Sequence, residues 1–95
     1  MPKTLSPAER KHLKARAHAL APVVLIGSEG LTPAVLREID RALTSHELIK
    51  VRAAGEDRAS RKGLLSEVCE QTGASPVQHI GKVLVLWRPR PEVES

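Results

Sequence analysis

Between the unbroken apolar run Val23–Ile26 and an amphipathic run that opens at Thr32-Pro33 stand only Gly27-Ser28-Glu29-Gly30-Leu31. A short apolar run closed by glycine is the pattern of a strand, and apolar residues recurring at i, i+3 and i+4 after it are the pattern of a helix. So tight a junction restricts the chain to a layered α/β arrangement in which the helix folds back over the strand it follows. Thr32 supplies a side-chain oxygen for the first free N–H groups of that helix, and Pro33 suits its first position because no N–H is needed there. The helix therefore begins at a defined point, with the positive end of its dipole beside the loop. Gly27 and Gly30 have no Cβ, so the backbone between them is open to close approach by an anion such as phosphate. The same two glycines also suit a plain turn, and four residues alone leave both readings open.

The rest of the chain supplies the partners such a unit needs. Ser6-Pro7-Ala8-Glu9 is a capping box with proline at the first helical position, which predicts a helix over Pro7–Ala19 that ends before Pro22. On that helix Leu13, Ala17 and Leu20 share one stripe, and Arg10, Lys11, Lys14 and His18 occupy an adjoining cationic arc. Val23–Ile26 reads as a central strand buried on both faces. A second helix over Pro33–Ser45 presents Val35, Leu36, Ile39, Ala42 and Leu43 for packing. Leu48–Ala53 alternates as a strand, with Ile49, Val51 and Ala53 on one face and Lys50 and Arg52 on the other. Gly55 breaks that strand, Asp57 caps a third helix that runs to Thr72, and Gly73 closes it over a core side of Leu64, Leu65, Val68 and Cys69. Pro76–Ile80 and Val83–Arg88 flank Gly81-Lys82, a glycine-first pair suited to a type II′ hairpin. The expected fold class is α/β, one compact domain over residues 1–90 in the order α-β-α-β-α-β-β, with residues 91–95 a flexible tail.

Ninety-five residues are enough for one domain core without disulfides, and Cys69 has no partner to form one. No apolar run approaches the roughly 20 residues that span a bilayer, and the first residues form no signal-peptide block, so the expected location is the cytoplasm. The formal net charge of +4 is unevenly placed: residues 1–20 carry five cations against Glu9 alone, while the other 75 balance ten basic against ten acidic side chains. With no second acid, that segment has no i,i+4 ion-pair ladder to account for its cations, which points to an anionic partner. Arg58, Arg61 and Lys62 fall in the first turns of the third helix, where the macrodipole disfavours positive charge, although Glu56 and Asp57 offset this locally. Phe and Tyr are absent and Trp87 is the single aromatic residue, so a base-stacking platform is excluded and nucleic acid would be held through phosphate, sugar and shape.

Other chemistries lack their residues. His46-Glu47 begins like a zinc-protease helix motif, but Lys50 stands where the second histidine belongs, and the remaining histidines and Cys69 are scattered singly, so no metal and no cofactor are expected. Gly27-x-x-Gly30 lacks the Gly-Lys-Ser/Thr ending of a nucleotide-binding P-loop. Cys69 falls on the apolar side of its helix, the position of a small buried hydrophobe rather than a nucleophile.

Four blocks in order, Leu13-Lys14 with Ala17-His18, Pro22 to Thr32, His46 to Val51 and Ile80 to Arg88, resemble the CRM domain, in particular its stand-alone bacterial YhbY-like form. The likeness extends from about Leu5 to Pro89. It implies a mixed four-stranded sheet similar to the C-terminal domain of bacterial translation initiation factor three. It also implies binding of ribosomal RNA, association with large-subunit precursor particles and a part in their maturation. The family's glycine loop falls on Gly27, Ser28, Glu29 and Gly30, and its basic surface on Lys14 and Lys50. Arg10, Lys11, Arg52, Arg58, Arg61 and Lys62 join the candidate RNA-binding set from charge placement alone. Glu29 is acidic where this loop is usually neutral-polar or basic, and Trp87 stands in place of a more usual tyrosine, either packing on the sheet or stacking on one base. The expected protein is a non-enzymatic monomer without a membrane partner. The rival reading is an adaptor whose basic face meets an acidic protein.

Overall fold

The computed structural model describes residues 5–54 and 57–89, with the backbone only at Arg58. Gly55, Glu56, Lys3, the 91–95 tail and the Arg58 side chain lie outside the described residues. Three helices and four strands follow in the expected order: α1 Pro7–Ala17, β1 Pro22–Ile26, α2 Pro33–His46, β2 Leu48–Ala53, α3 Arg58–Thr72, β3 Ser75–Ile80 and β4 Val83–Trp87.

Local chemistry sets the helix starts. The Ser6 hydroxyl accepts from the Glu9 N–H at 3.1 Å while the Ser6 N–H donates to the Glu9 carboxylate at 3.1 Å, completing the capping box. The Val35 N–H donates to Thr32 Oγ1 at 3.2 Å, and the Ser60 N–H to Asp57 Oδ1 at 2.7 Å. α1 stops at Ala17, two residues earlier than its sequence suggests. His18, Ala19 and Leu20 each donate to the carbonyl three residues back, tightening the chain before Pro22. Leu20 thereby leaves the apolar stripe, and Leu5, ahead of the helix, is buried in its place.

The strands form one mixed sheet in the order β1-β2-β4-β3. β1 runs parallel to β2 across the α2 crossover, and β2 and β3 each pair antiparallel with β4. Gly81 takes a φ of +54°, as the first residue of a II′ turn requires. α2 and α3 cover one face, packing Ile39, Leu43, Leu65, Val68 and Cys69 on Val24, Ile26, Ile49, Val51, Ala53, Leu84 and Leu86. α1 lies on the other face, where Leu5, Leu13 and Ala17 meet Leu48, Val77 and Val85, with Val83 and Trp87 at the margin.

β1 is an edge strand, not the central one its apolar run suggests. Val24 and Ile26 are buried under α2, but Val23 and Leu25 keep 52% and 56% of their surface exposed because α1 packs chiefly on β2, β3 and β4. A register shift between Pro22 and Val24 adds a bulge at Val23. Arg88, expected as the end of β4, instead leaves the strand. Its guanidinium donates to Asp40 Oδ1 at 2.6 Å, the Asp40 carbonyl at 3.0 Å, Thr44 Oγ1 at 3.0 Å and the Thr72 carbonyl at 2.8 Å, tying α2 to α3.

Candidate nucleic-acid interface

Strand direction decides which loops meet. β1 and β2 are parallel and β4 runs against them, so the ends of β1 and β2 and the β3–β4 hairpin lie along one edge of the sheet. Two backbone bonds draw that edge together: the Ala54 N–H donates to the Ile26 carbonyl at 3.1 Å, and the Ala53 N–H to the Lys82 carbonyl at 2.8 Å. The glycine loop leaves from this edge, α2 and α3 both begin there, and Lys82 stands at the hairpin tip. Lys82 was not evident as a site residue from the sequence, because only the strand order places the hairpin beside the loop.

The loop is a closed turn. The Gly30 N–H donates to the Gly27 carbonyl at 3.0 Å and the Thr32 N–H to the Gly30 carbonyl at 3.1 Å. Ser28 and Glu29 are exposed at its tip. Gly30 has a φ of +76°, a left-handed conformation that an L side chain adopts only with strain, so this glycine is required by the turn itself. Gly27 is different. Its φ is negative, and a Cβ built on it meets nothing within 4 Å, so nothing inside the protein demands glycine there.

The predicted cations divide between the two faces. Lys50 pairs with Val85 and Arg52 with Val83, residues of the α1 side, so both project from the sheet on the face that carries α1 with Arg10, Lys11 and Lys14. Arg10, Lys11 and Arg52 are exposed, while Lys14 and Lys50 are half-buried. The four strands contain no acidic side chain at all. Arg61 and exposed Lys62 belong to α3, on the opposite face, and reach the first group only around the loop edge. Arg16 lies at the far edge, lining a cleft with Leu20, Val23, His46 and Leu48.

At the start of α3, the Asp57 carboxyl is held below its ordinary value of 3.8, chiefly by the Ser60 backbone N–H it accepts and further by the positive charge of Arg61. His79 Nε2 lies 3.0 Å from the Gly81 carbonyl and 3.4 Å from Arg61 Nε. One ring nitrogen cannot donate to the first and accept from the second, and the shorter contact favours the tautomer that donates to Gly81. Trp87 is half-buried against the α1 cluster, so it packs on the sheet. Cys69 is buried and desolvation pushes its thiol up to about 12, the state of an inert core residue. Among the described residues no group of three His, Cys, Asp or Glu could hold a metal ion, and no helix is long and apolar enough to cross a membrane.

A glycine turn at the sheet edge where two helices begin, beside a sheet face that carries Lys50 and Arg52 and no acid, defines a layered α/β domain with a cationic face next to its loop edge. The CRS1/YhbY (CRM) domain matches residues 5–88, and the chain belongs to that family. It is similar to a Haemophilus influenzae RNA-binding protein, 47% identical over 91 residues that cover 96% of this chain and 92% of the relative. A Pseudomonas aeruginosa protein, named as a probable RNA-binding protein, is 42% identical over 93% of this chain and 85% of its own length. The solution structure of a Staphylococcus aureus protein described as an RNA-binding candidate superposes with a TM-score of 0.84 at 30% identity, over 96% of this chain and 95% of that one.

Proposed function

We propose that this protein is a non-enzymatic RNA-binding protein of the cytoplasm that docks as a monomer on structured ribosomal RNA and assists maturation of the large ribosomal subunit. The observation that carries the reading is the single edge where the glycine turn, the start of α2 and Lys82 meet, beside a sheet face whose only charges are Lys50 and Arg52. Backbone N–H groups of the turn and the α2 dipole hold a phosphate. The α1 cations, Lys50 and Arg52 orient the domain on neighbouring phosphates. RNA-binding relatives over nearly the whole length support this partner class. With no ring platform, recognition rests on backbone and shape, and structured RNA is preferred to an unstructured strand.

Sedimentation of a low-salt lysate, with the protein detected across the gradient, tests the reading. The expected result is a peak with immature large subunits that RNase or raised salt removes, and less protein on mature ribosomes. Protein confined to the top fractions overturns it. A heavy complex indifferent to RNase and to added polyanion would instead establish an adaptor that grips an acidic protein.

A further inference from the structure

The face of the sheet that carries α1 is only partly covered. Registered Cα partners define a row across all four strands next to the loop edge: Leu25 opposite Arg52, Arg52 opposite Val83, and Val83 opposite Ile80. Cross-strand partners point to the same face. Further along the same face Val85 and Leu48 are buried beneath α1, but in this first row Leu25 is 56% and Ile80 51% exposed and Arg52 is exposed. Val83 is half-buried at the margin of the α1 cluster. A cleft of ≈ 400 Å³ opens along the outer end of the row, lined by Pro22, Val23, Val24, Leu25 and Arg52. The result is an aliphatic shelf with a guanidinium in its middle.

We propose that this shelf seats one unpaired nucleotide of the RNA whose backbone lies on the glycine turn, a proposal that rests on the RNA-docking reading above. Three observations select that occupant. The shelf is continuous with the turn: Leu25 precedes Gly27 by two residues, about 7 Å of strand, the order of one nucleotide's reach. Its charge suits a polyanion, since Arg52 and neighbouring Lys50 are the only ionic groups on the four strands. Its surface suits a base, because aliphatic side chains pack against a π-face without hydrogen bonds and the planar Arg52 guanidinium stacks on one. The absence of Phe and Tyr therefore removes the aromatic form of base contact but not base contact itself. The shelf holds a single nucleotide extruded beside a structured region, and sequence preference there is weak.

The experiment compares a blunt RNA hairpin with the same hairpin carrying three unpaired nucleotides at its 5′ or its 3′ end, bound to full-length protein at fixed salt. Wild type is expected to bind one of the extended hairpins about five- to tenfold more tightly than the blunt one, the gain from covering one half-exposed aliphatic side chain and its neighbours. The double variant Leu25→Thr/Ile80→Thr should bind the blunt hairpin as wild type does and lose the preference. Both positions are half-exposed, and threonine is a good strand residue, so the melting temperature should stay close to wild type. Arg52→Lys keeps the charge without the planar group and should narrow the preference for the extended hairpin. Equal wild-type affinity for blunt and extended hairpins, or a preference that survives in the double variant, overturns the shelf while leaving RNA docking intact. Failure of wild type to bind any of the hairpins sinks both.

Discussion

Replacing Gly27 with alanine separates binding from folding at the glycine turn in a way that Gly30 cannot. The Gly27 φ is negative and its built Cβ has no neighbour within 4 Å, so the methyl group meets only solvent in the free protein. Removing glycine's freedom from the unfolded chain at such a site stabilises a protein by about 0.4–1 kcal/mol. Gly30→Ala forces an L side chain to a φ of +76°, which costs about 1–2 kcal/mol. At about 4–8 °C per kcal/mol for a domain of this size, the two variants should melt on opposite sides of wild type. If a phosphate sits against the turn, the Gly27 methyl displaces it from the backbone donors. Losing one charge-assisted hydrogen bond removes about 1.5–3 kcal/mol, tenfold or more in Kd. Thermal melts and fluorescence anisotropy with a labelled RNA hairpin measure the two quantities on the same samples. Gly27→Ala should melt at or above wild type and bind at least tenfold more weakly. Unchanged affinity in a variant that melts normally would refute the close approach.

Other outcomes follow from charge and packing. Glu29→Lys, at the exposed tip, should tighten hairpin binding severalfold by replacing repulsion with attraction, at about 1 kcal/mol per close charge pair in water, and an unchanged Kd would place this side chain away from phosphate. Lys11→Ala with Lys14→Ala should flatten the plot of log K against log salt by up to about two, by analogy with the value near 0.9 per contact in B-DNA, whereas a wild-type slope would make both lysines ordinary solvated surface. Arg88→Ala should destabilise the domain by about 2 kcal/mol in denaturant titration, since it deprives two helices of their shared donor, and Arg88→Lys should recover little because an ammonium cannot span the same acceptors. Asp57→Asn retains a capping oxygen but no charge. The folded-state pKa of Asp57 lies below 3.8, so its ionic contribution is present above that value and lost as pH falls through the lowered one. The variant should melt below wild type at pH 7 and converge with it as pH falls from 3.8 through the lowered folded-state value, and a difference that persists at still lower pH would refute the assignment.

What was legible in the sequence was the chemistry that acts over a few residues. Ser6 with Glu9, Thr32 before Pro33, Asp57 and Gly81 each fixed a boundary because the groups that satisfy the backbone there lie within one turn of the chain. The edge position of β1 escapes that same local chemistry. Pro22–Ile26 is apolar throughout, and apolar identity does not report whether a second layer reaches far enough to cover it; here α1, ended early by its tightened last turn, does not. Arg88 was equally opaque, since its partners Asp40 and Thr44 lie more than 40 positions away in sequence. Of the candidate site, the glycine turn and the shared face of Lys50 and Arg52 followed from spacing. The division of the cations between faces, and Lys82 beside the turn, depend on strand order, which is set by long-range pairing.

Glu47 alone separates α2 from β2. It holds a φ of +64°, an unusual conformation for a residue with a side chain, with its N–H on the Leu43 carbonyl at 2.8 Å and its carbonyl accepting from the Arg88 N–H at 2.9 Å. The helix that begins at the glycine turn is thus anchored without slack at its other end, and its flank is gripped by the Arg88 guanidinium. Mechanically, α2 is a strut. A load placed on the turn passes down the helix into the central strands instead of being absorbed by a hinge. Whatever docks there meets a stiff die, and the adaptation falls on the partner: a ligand already bent to the contour of the turn binds without deformation, and one that must be bent loses that energy from its affinity.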